Sequence, residues 1–171
     1  MEPALEQEYL EYVTARLEPL RRTAYLLCGD RHRADDLVQE TITKLYVRWR
    51  RVRTTGNVNA YVGRILYRTY LDDRRRGWWA RVHLSASPPD HPAAPGGDLE
   101  DRMMLDAALA RVPDRQRAVL ILRFVCDLPV DEVAQILNCA AGTVKSQTAH
   151  GLAAMRRRLG APTIAALKEK T

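Results

Sequence analysis

Residues 130–158 read VDEVAQILNCAAGTVKSQTAHGLAAMRRR, and this stretch decides the fold. Val133, Ile136 and Leu137 recur at helical spacing and give its first half one apolar face, while Ala134 is small enough for a second helix to cross closely. Asn138 tolerates the left-handed conformation that a tight turn needs. Beyond the turn, Val144, Leu152 and Met155 give the second half its own buried side. Two short helices joined by a few residues in this way form a helix-turn-helix. On the outer side Thr143, Ser146, Gln147 and His150 share a face at three- and four-residue spacings. Side chains of that kind reach base edges or phosphates in a major groove, and Arg156, Arg157 and Arg158 follow as backbone contacts. A plain helical hairpin with a polar outer face satisfies the same pattern.

Upstream the text stays helical: Leu105, Ala108 and Leu109 precede Val112-Pro113, and a further helix covers Arg115 to Cys126 until Asp127-Leu128-Pro129 breaks it. Before that the composition changes. Ser85 to Gly97 holds four prolines, two glycines and no large apolar residue, the composition of a stiff, unpacked linker. Charge divides at the same place, with net +4 over residues 1–80, -3 over 81–101 and +5 over 102–171. Two basic bodies on an acidic tether suit two footprints on one polyanion, although solvated helix faces give the same excess.

In the first body, Leu17, Leu20, Ala24 and Leu27 mark a helix that ends at Cys28-Gly29-Asp30. A second helix follows, with positions 34, 37, 38, 41, 42, 45, 46 and 49 as its apolar stripe and Asp35, Asp36, Gln39, Glu40 and Lys44 outside it. The segment Val52 to Asn59 reads as a polar loop. It leads into a helix from Ala60 to Arg76 that interleaves aromatics with arginines. Aromatic faces stack on unpaired bases and guanidinium groups hold phosphates, so Arg64, Arg68 and Arg74 to Arg76 read as nucleic-acid contacts, and Leu66 and Tyr70 as core.

The bulk properties set limits on function. A net charge of +6 and a pI near 9.5 favour phosphate-rich partners. No apolar run long enough for a membrane span occurs, and the acidic start lacks the form of a signal peptide, so neither membrane insertion nor export is expected and the cytoplasm is the expected compartment. Cys28, Cys126 and Cys139 form no CxxC pair, which argues against a disulfide framework and against a zinc site completed by His83 or His91. Asp35, Asp36 and Glu40 are hard-cation ligands by type, but carboxylates near a helix start complement its dipole without metal. No catalytic residue, metal or cofactor is expected.

Two segments carry a family resemblance. The order LRRTAYLLCGDRHRADDLVQETITKLYVRW, a loop, and AYVGRILYRTYLDDRRR (residues 20–49 and 60–76) resembles region 2 of the extracytoplasmic-function (ECF) sigma factors, above all in ADDLVQE. Val112 to Arg117 and Gly142 to Ser146 resemble sigma region 4. The resemblance implies that Asp35, Asp36, Gln39, Glu40 and Lys44 dock on the clamp helices of the largest subunit of core RNA polymerase. It implies that Thr54, Thr55, Gly56, Asn57 and Asn59 belong to a loop selecting bases of the melted -10 element, with Tyr61, Arg64, Tyr67 and Arg68 supporting strand capture. Thr143, Lys145, Ser146, Gln147, His150 and Arg156 are then expected at the -35 element.

Departures from the family pattern are specific. Ala140 stands where a capping Ser is usual, Gln147, Thr148, His150 and Gly151 replace the commoner Arg, Leu, Arg and Ala, and no Trp stands at Tyr61-Val62. The expected architecture is all-α: two small helical domains joined by a flexible linker, the second containing the helix-turn-helix. Residues 1–80 are expected as region 2, 81–101 as the linker, 102–160 as region 4 and 161–171 as a tail without an added domain. The expected partners are core RNA polymerase (clamp helices and flap), promoter DNA and an anti-sigma factor. A helix-turn-helix regulator that never joins the polymerase is the alternative.

Overall fold

A capped reversal at Cys28-Gly29-Asp30 folds the first two helices of the chain against each other. In the computed structural model, which describes residues 2–81 and 97–159, helix α1 runs Pro3–Cys28 and α2 runs Arg31–Val52. Gly29 sits at φ 73°, a left-handed position glycine adopts without a Cβ penalty, and its N–H donates to the Tyr25 carbonyl at 2.7 Å. Asp30 then caps α2, its carboxylate accepting from the Arg33 N–H at 2.8 Å. Helix α3 follows over Val58–Arg81.

The apolar stripe of α2 lies between its two neighbours. Tyr9 from α1, Leu45, Trp49 and Val52 from α2, and Val62 and Ile65 from α3 form one buried cluster. Leu45 is 1% exposed, and a cut to Ala at such a site costs about 2–5 kcal/mol. Helix α1 starts well before Leu17, where the sequence pattern first signals it. Pro3 fits its first turn because a proline there gives up no helical hydrogen bond. The acidic N-terminal stretch thereby places Tyr9 against Trp49, edge to face at 5.6 Å, and the Tyr9 hydroxyl donates to the Ile42 carbonyl at 2.8 Å.

A second compact unit holds the remaining described residues. Its helices are α4 (Gly97–Ala110), α5 (Asp114–Leu120), α6 (Val130–Leu137) and α7 (Ala141–Leu159), with a wide π-helical turn at Ile121–Val125 after α5. The Cys126 N–H donates to Ile121 five residues back, which defines that turn, and the Leu128 N–H then returns to the Leu122 carbonyl. Arg123 closes the corner with a guanidinium bond to the Leu128 carbonyl at 2.5 Å. Leu109, Val112, Val119, Ile121, Leu122, Leu128, Val133, Val144 and Met155 are buried around it.

Several details differ from the sequence reading. The second unit's first helix begins at Gly97, inside the segment read as linker; residues 82–96 and 160–171, with His83 and His91, lie outside the described residues. Val52 is fully buried and ends α2 instead of opening the loop. Tyr46, assigned to the apolar stripe, is 38% exposed and meets Tyr9 of the core edge-on, ring centroids 5.1 Å apart. Its position, one residue past Leu45, rotates it off the stripe. The three cysteines are free and half-buried.

Candidate functional site

The turn between α6 and α7 sets the recognition helix. Asn138 takes φ 51°, ψ 55°, and the Cys139 N–H donates to the Ala134 carbonyl at 3.0 Å, a glycine-type helix stop built on asparagine. Helix α7 starts without a side-chain cap at Ala140, whose carbonyl accepts from the N–H groups of Thr143 and Val144. Val144 and Met155 anchor its inner side. Gly151 is buried there, and a Cβ at this position would meet Leu120 Cδ1 at 2.9 Å, so a larger residue would have to push the Leu120 side chain aside where α7 crosses α5.

That anchoring turns the other side of α7 outward. Thr143 and Gln147 are half-buried; Lys145, Ser146, His150 and Arg156 are exposed. Thr143, Ser146, Gln147 and His150 share the outer face, as their spacing requires. The Ser146 hydroxyl donates to the Thr143 carbonyl at 3.0 Å and still has lone pairs to accept with.

In the first unit, the α2–α3 loop is shaped by its own polar side chains. The hydroxyls of Thr54 and Thr55 donate to the carbonyls of Arg51 and Val52, at 2.8 and 2.7 Å. Asn57 caps α3 through the Ala60 N–H at 3.0 Å, and Asn59 accepts from the Tyr12 hydroxyl at 2.9 Å. Asn59, expected in the loop, falls in the first turn of α3 because Asn57 caps the helix before it; Thr54, Thr55, Gly56, Asn57 and Asn59 are all exposed nevertheless, so the loop and the start of α3 present a pre-formed polar surface.

On α3 the expected capture residues separate. Arg68 is exposed, Tyr61 and Arg64 are half-buried, and Tyr61 packs on the core cluster. Tyr67 departs from the expectation: it is 9% exposed and lies beside Tyr70, ring centroids 6.1 Å apart, so it offers no free face to a base. It stands three residues before buried Tyr70, which puts both rings on one side of α3.

The five polar residues of α2 also divide. Asp35 pairs with Arg21 of α1 at 3.2 Å. Glu40 pairs with Lys44 at 2.7 Å and with Arg76 of α3 at 3.2 Å, while the Lys44 ammonium also donates to Thr69 at 3.1 Å. The hydrogen bond from Lys44 leads in holding the Glu40 carboxyl below its ordinary range, and Arg76 adds to it. These three residues tie α2 to its neighbours. Asp36 and Gln39 instead face solvent, and they continue at helical spacing into Thr43, Tyr46, Val47 and Arg50. Val47 is 79% exposed. The free face of α2 is therefore acidic at one end, apolar in the middle and basic at the other. Tyr46 reads as core by residue type and Val47 stands outside the expected stripe; the helical angle, with Tyr46 and Val47 continuing the row from Asp36 and Gln39, is the signal that joins them on this face.

Comparison with known proteins places both units. The family described as Sigma-70 region 2 matches residues 12–80, and Sigma-70, region 4 matches residues 102–155. The RNA polymerase sigma-E factor of Streptomyces coelicolor is 32% identical, over 89% of this chain and 86% of that protein. The ECF RNA polymerase sigma factor SigM of Mycobacterium tuberculosis is 30% identical, over 82% of this chain and 71% of that one. Among solved structures, the sigma factor RpoE of Bartonella quintana, crystallised with the anti-sigma factor NepR, aligns with TM-score 0.78 and 25% identity over 91% of this chain and 99% of that one. With both regions present in order and relatives of this identity, the chain belongs to the extracytoplasmic-function subfamily of the sigma-70 factors.

Proposed function

We propose that the chain joins core RNA polymerase and directs it to promoters, each unit taking a distinct part of the work. Its family is that of transcription initiation factors, and promoter-directed initiation follows from the two matched regions. The observation that supports the division of labour is the free face of α2, Asp36 to Arg50, lying apart from the outer face of α7 in sequence and in unit.

In this reading Asp36 and Gln39 dock on the polymerase clamp, extended by Tyr46 and Val47, while Asp35, Glu40 and Lys44 hold α2 in place for it. Thr143, Ser146, Gln147 and His150 read the duplex -35 element, with Lys145 and Arg156 on phosphates. The loop Thr54 to Asn59 selects bases of the opened -10 element, and Tyr61, Arg64 and Arg68 support the strand. Tyr67 contributes by packing. Binding of the unpaired strand offsets the cost of opening it. The chain itself supplies no catalytic group; bond formation belongs to the polymerase. Its place of action is the cytoplasm, with the polymerase, and the described residues contain no helix long and apolar enough to cross a membrane. An anti-sigma protein is inferred as a controlling partner, since the RpoE relative was solved with one.

Affinity capture of core polymerase by the tagged chain tests this reading. Retention of core is expected; a chain that binds a duplex operator alone and never retains core would be an ordinary helix-turn-helix regulator.

A further inference from the structure

We propose that Arg48 and Arg51 form a phosphate track that guides a DNA single strand along the α2–α3 seam to the loop at Thr54, an inference that rests on the reading above. Between Leu45 and Val58 the chain carries Arg48, Arg50, Arg51 and Arg53 and no acid. Arg53 is neutralised by Glu8 at 2.9 Å. Arg48 and Arg51 are exposed, and neither joins an ion pair among the described residues.

Position gives these two a direction. Lys44, Arg48 and Arg51 lie at spacings of four and three, which is one row along a helix. The Lys44 ammonium reaches Thr69 of α3 at 3.1 Å, so the row borders α3, where Arg68, beside Thr69, is exposed. At its other end the row runs into the exposed loop. Arg50 falls off it, on the face of Val47. A helix C-terminus favours cations through its dipole, which accounts for Arg51 in the last turn but not for Arg48 a turn earlier. Guanidinium groups, always charged and forked, suit phosphodiester oxygens better than lysines do.

The test compares wild type, Arg48→Ala/Arg51→Ala and, as a control at the far end of α2, Arg31→Ala. Each is assembled with core polymerase, assembly is measured by competition, and binding of a short fluorescein-labelled DNA single strand of mixed sequence is titrated across salt. The double variant is expected to assemble normally, bind the strand several-fold more weakly, and show a log–log salt slope shallower by about 1.4, at roughly 0.7 per lost contact. Arg31→Ala should match wild type. An unchanged slope, or the same loss in Arg31→Ala, would overturn the proposal. Weakened assembly with an unchanged slope would overturn it too, marking the row as a protein contact. If wild type fails to assemble at all, the underlying reading falls, and the track with it.

Discussion

Arg76 of α3 donates to Glu40 of α2 across 3.2 Å, on the carboxylate that Lys44 already holds from its own helix. The ADDLVQE segment, which reads as a docking face, is thus partly an internal clasp. Because the folded-state pKa of Glu40 is depressed, its contribution to stability is present above the ordinary carboxylate value and is lost as pH falls through the folded value. Glu40 is 37% exposed, so water screens the pair and the contribution is about 1 kcal/mol or less. Urea denaturation at stepped pH should show a decline in acid that is smaller in Glu40→Gln. An identical decline in both chains would place the titration elsewhere.

The outer face of α2 should behave differently from that clasp. Asp36 is exposed and has no ion-pair partner among the described residues, so Asp36→Arg leaves the fold intact and abolishes retention of core polymerase. Circular dichroism and affinity capture separate the two effects. Gln147→Ala should do the reverse, weakening -35 binding by about 1–3 kcal/mol while core affinity stays as in wild type. If both substitutions reduced core retention alike, the two units would not divide the work.

Position 140 offers a gain. The Ala140 carbonyl accepts from Thr143 and Val144, but the residue has no side-chain oxygen to accept from the N–H groups of the first turn of α7, and Ala140→Ser supplies one. Stability of the second unit should rise by about 1 kcal/mol, read as a higher urea midpoint for the loss of its helices. No rise would mean that the N–H groups at the start of α7 are already satisfied.

Gly151 is the converse case. Gly151→Val would press a branched side chain onto Leu120, which is 4% exposed and has little room to turn. The expected cost is about 1–3 kcal/mol, seen as faster amide exchange in α5 and α7. Unchanged exchange would show that the α5–α7 crossing is loose.

The sequence made the helix-turn-helix legible almost residue by residue, because Val133, Ile136, Val144 and Met155 are buried at the spacings that revealed them and Asn138 takes its left-handed turn. The α2 stripe was legible for the same reason, except at Tyr46, where a large aromatic outweighed its helical angle. The start of α1 lies in an acidic stretch, yet Leu5, Tyr9, Tyr12 and Val13 recur there at helical spacing and pack on the core, a signal that the reading from Leu17 onward passed over. Two features were not legible. The π-helical turn at Ile121 depends on a tertiary corner closed by Arg123. The division of the α2 acids depends on cations far along the chain, Arg21 and Arg76, whose approach no local spacing encodes.

The most direct measurement is transcription in vitro with core RNA polymerase, purified free of other sigma factors, on fragmented genomic DNA, with start sites mapped. Adding the chain should produce transcripts from a discrete set of starts that share -35 and -10 sequences, and Asp36→Arg should remove them. A chain that leaves core polymerase silent, while binding duplex DNA by itself, would contradict its role as a sigma factor.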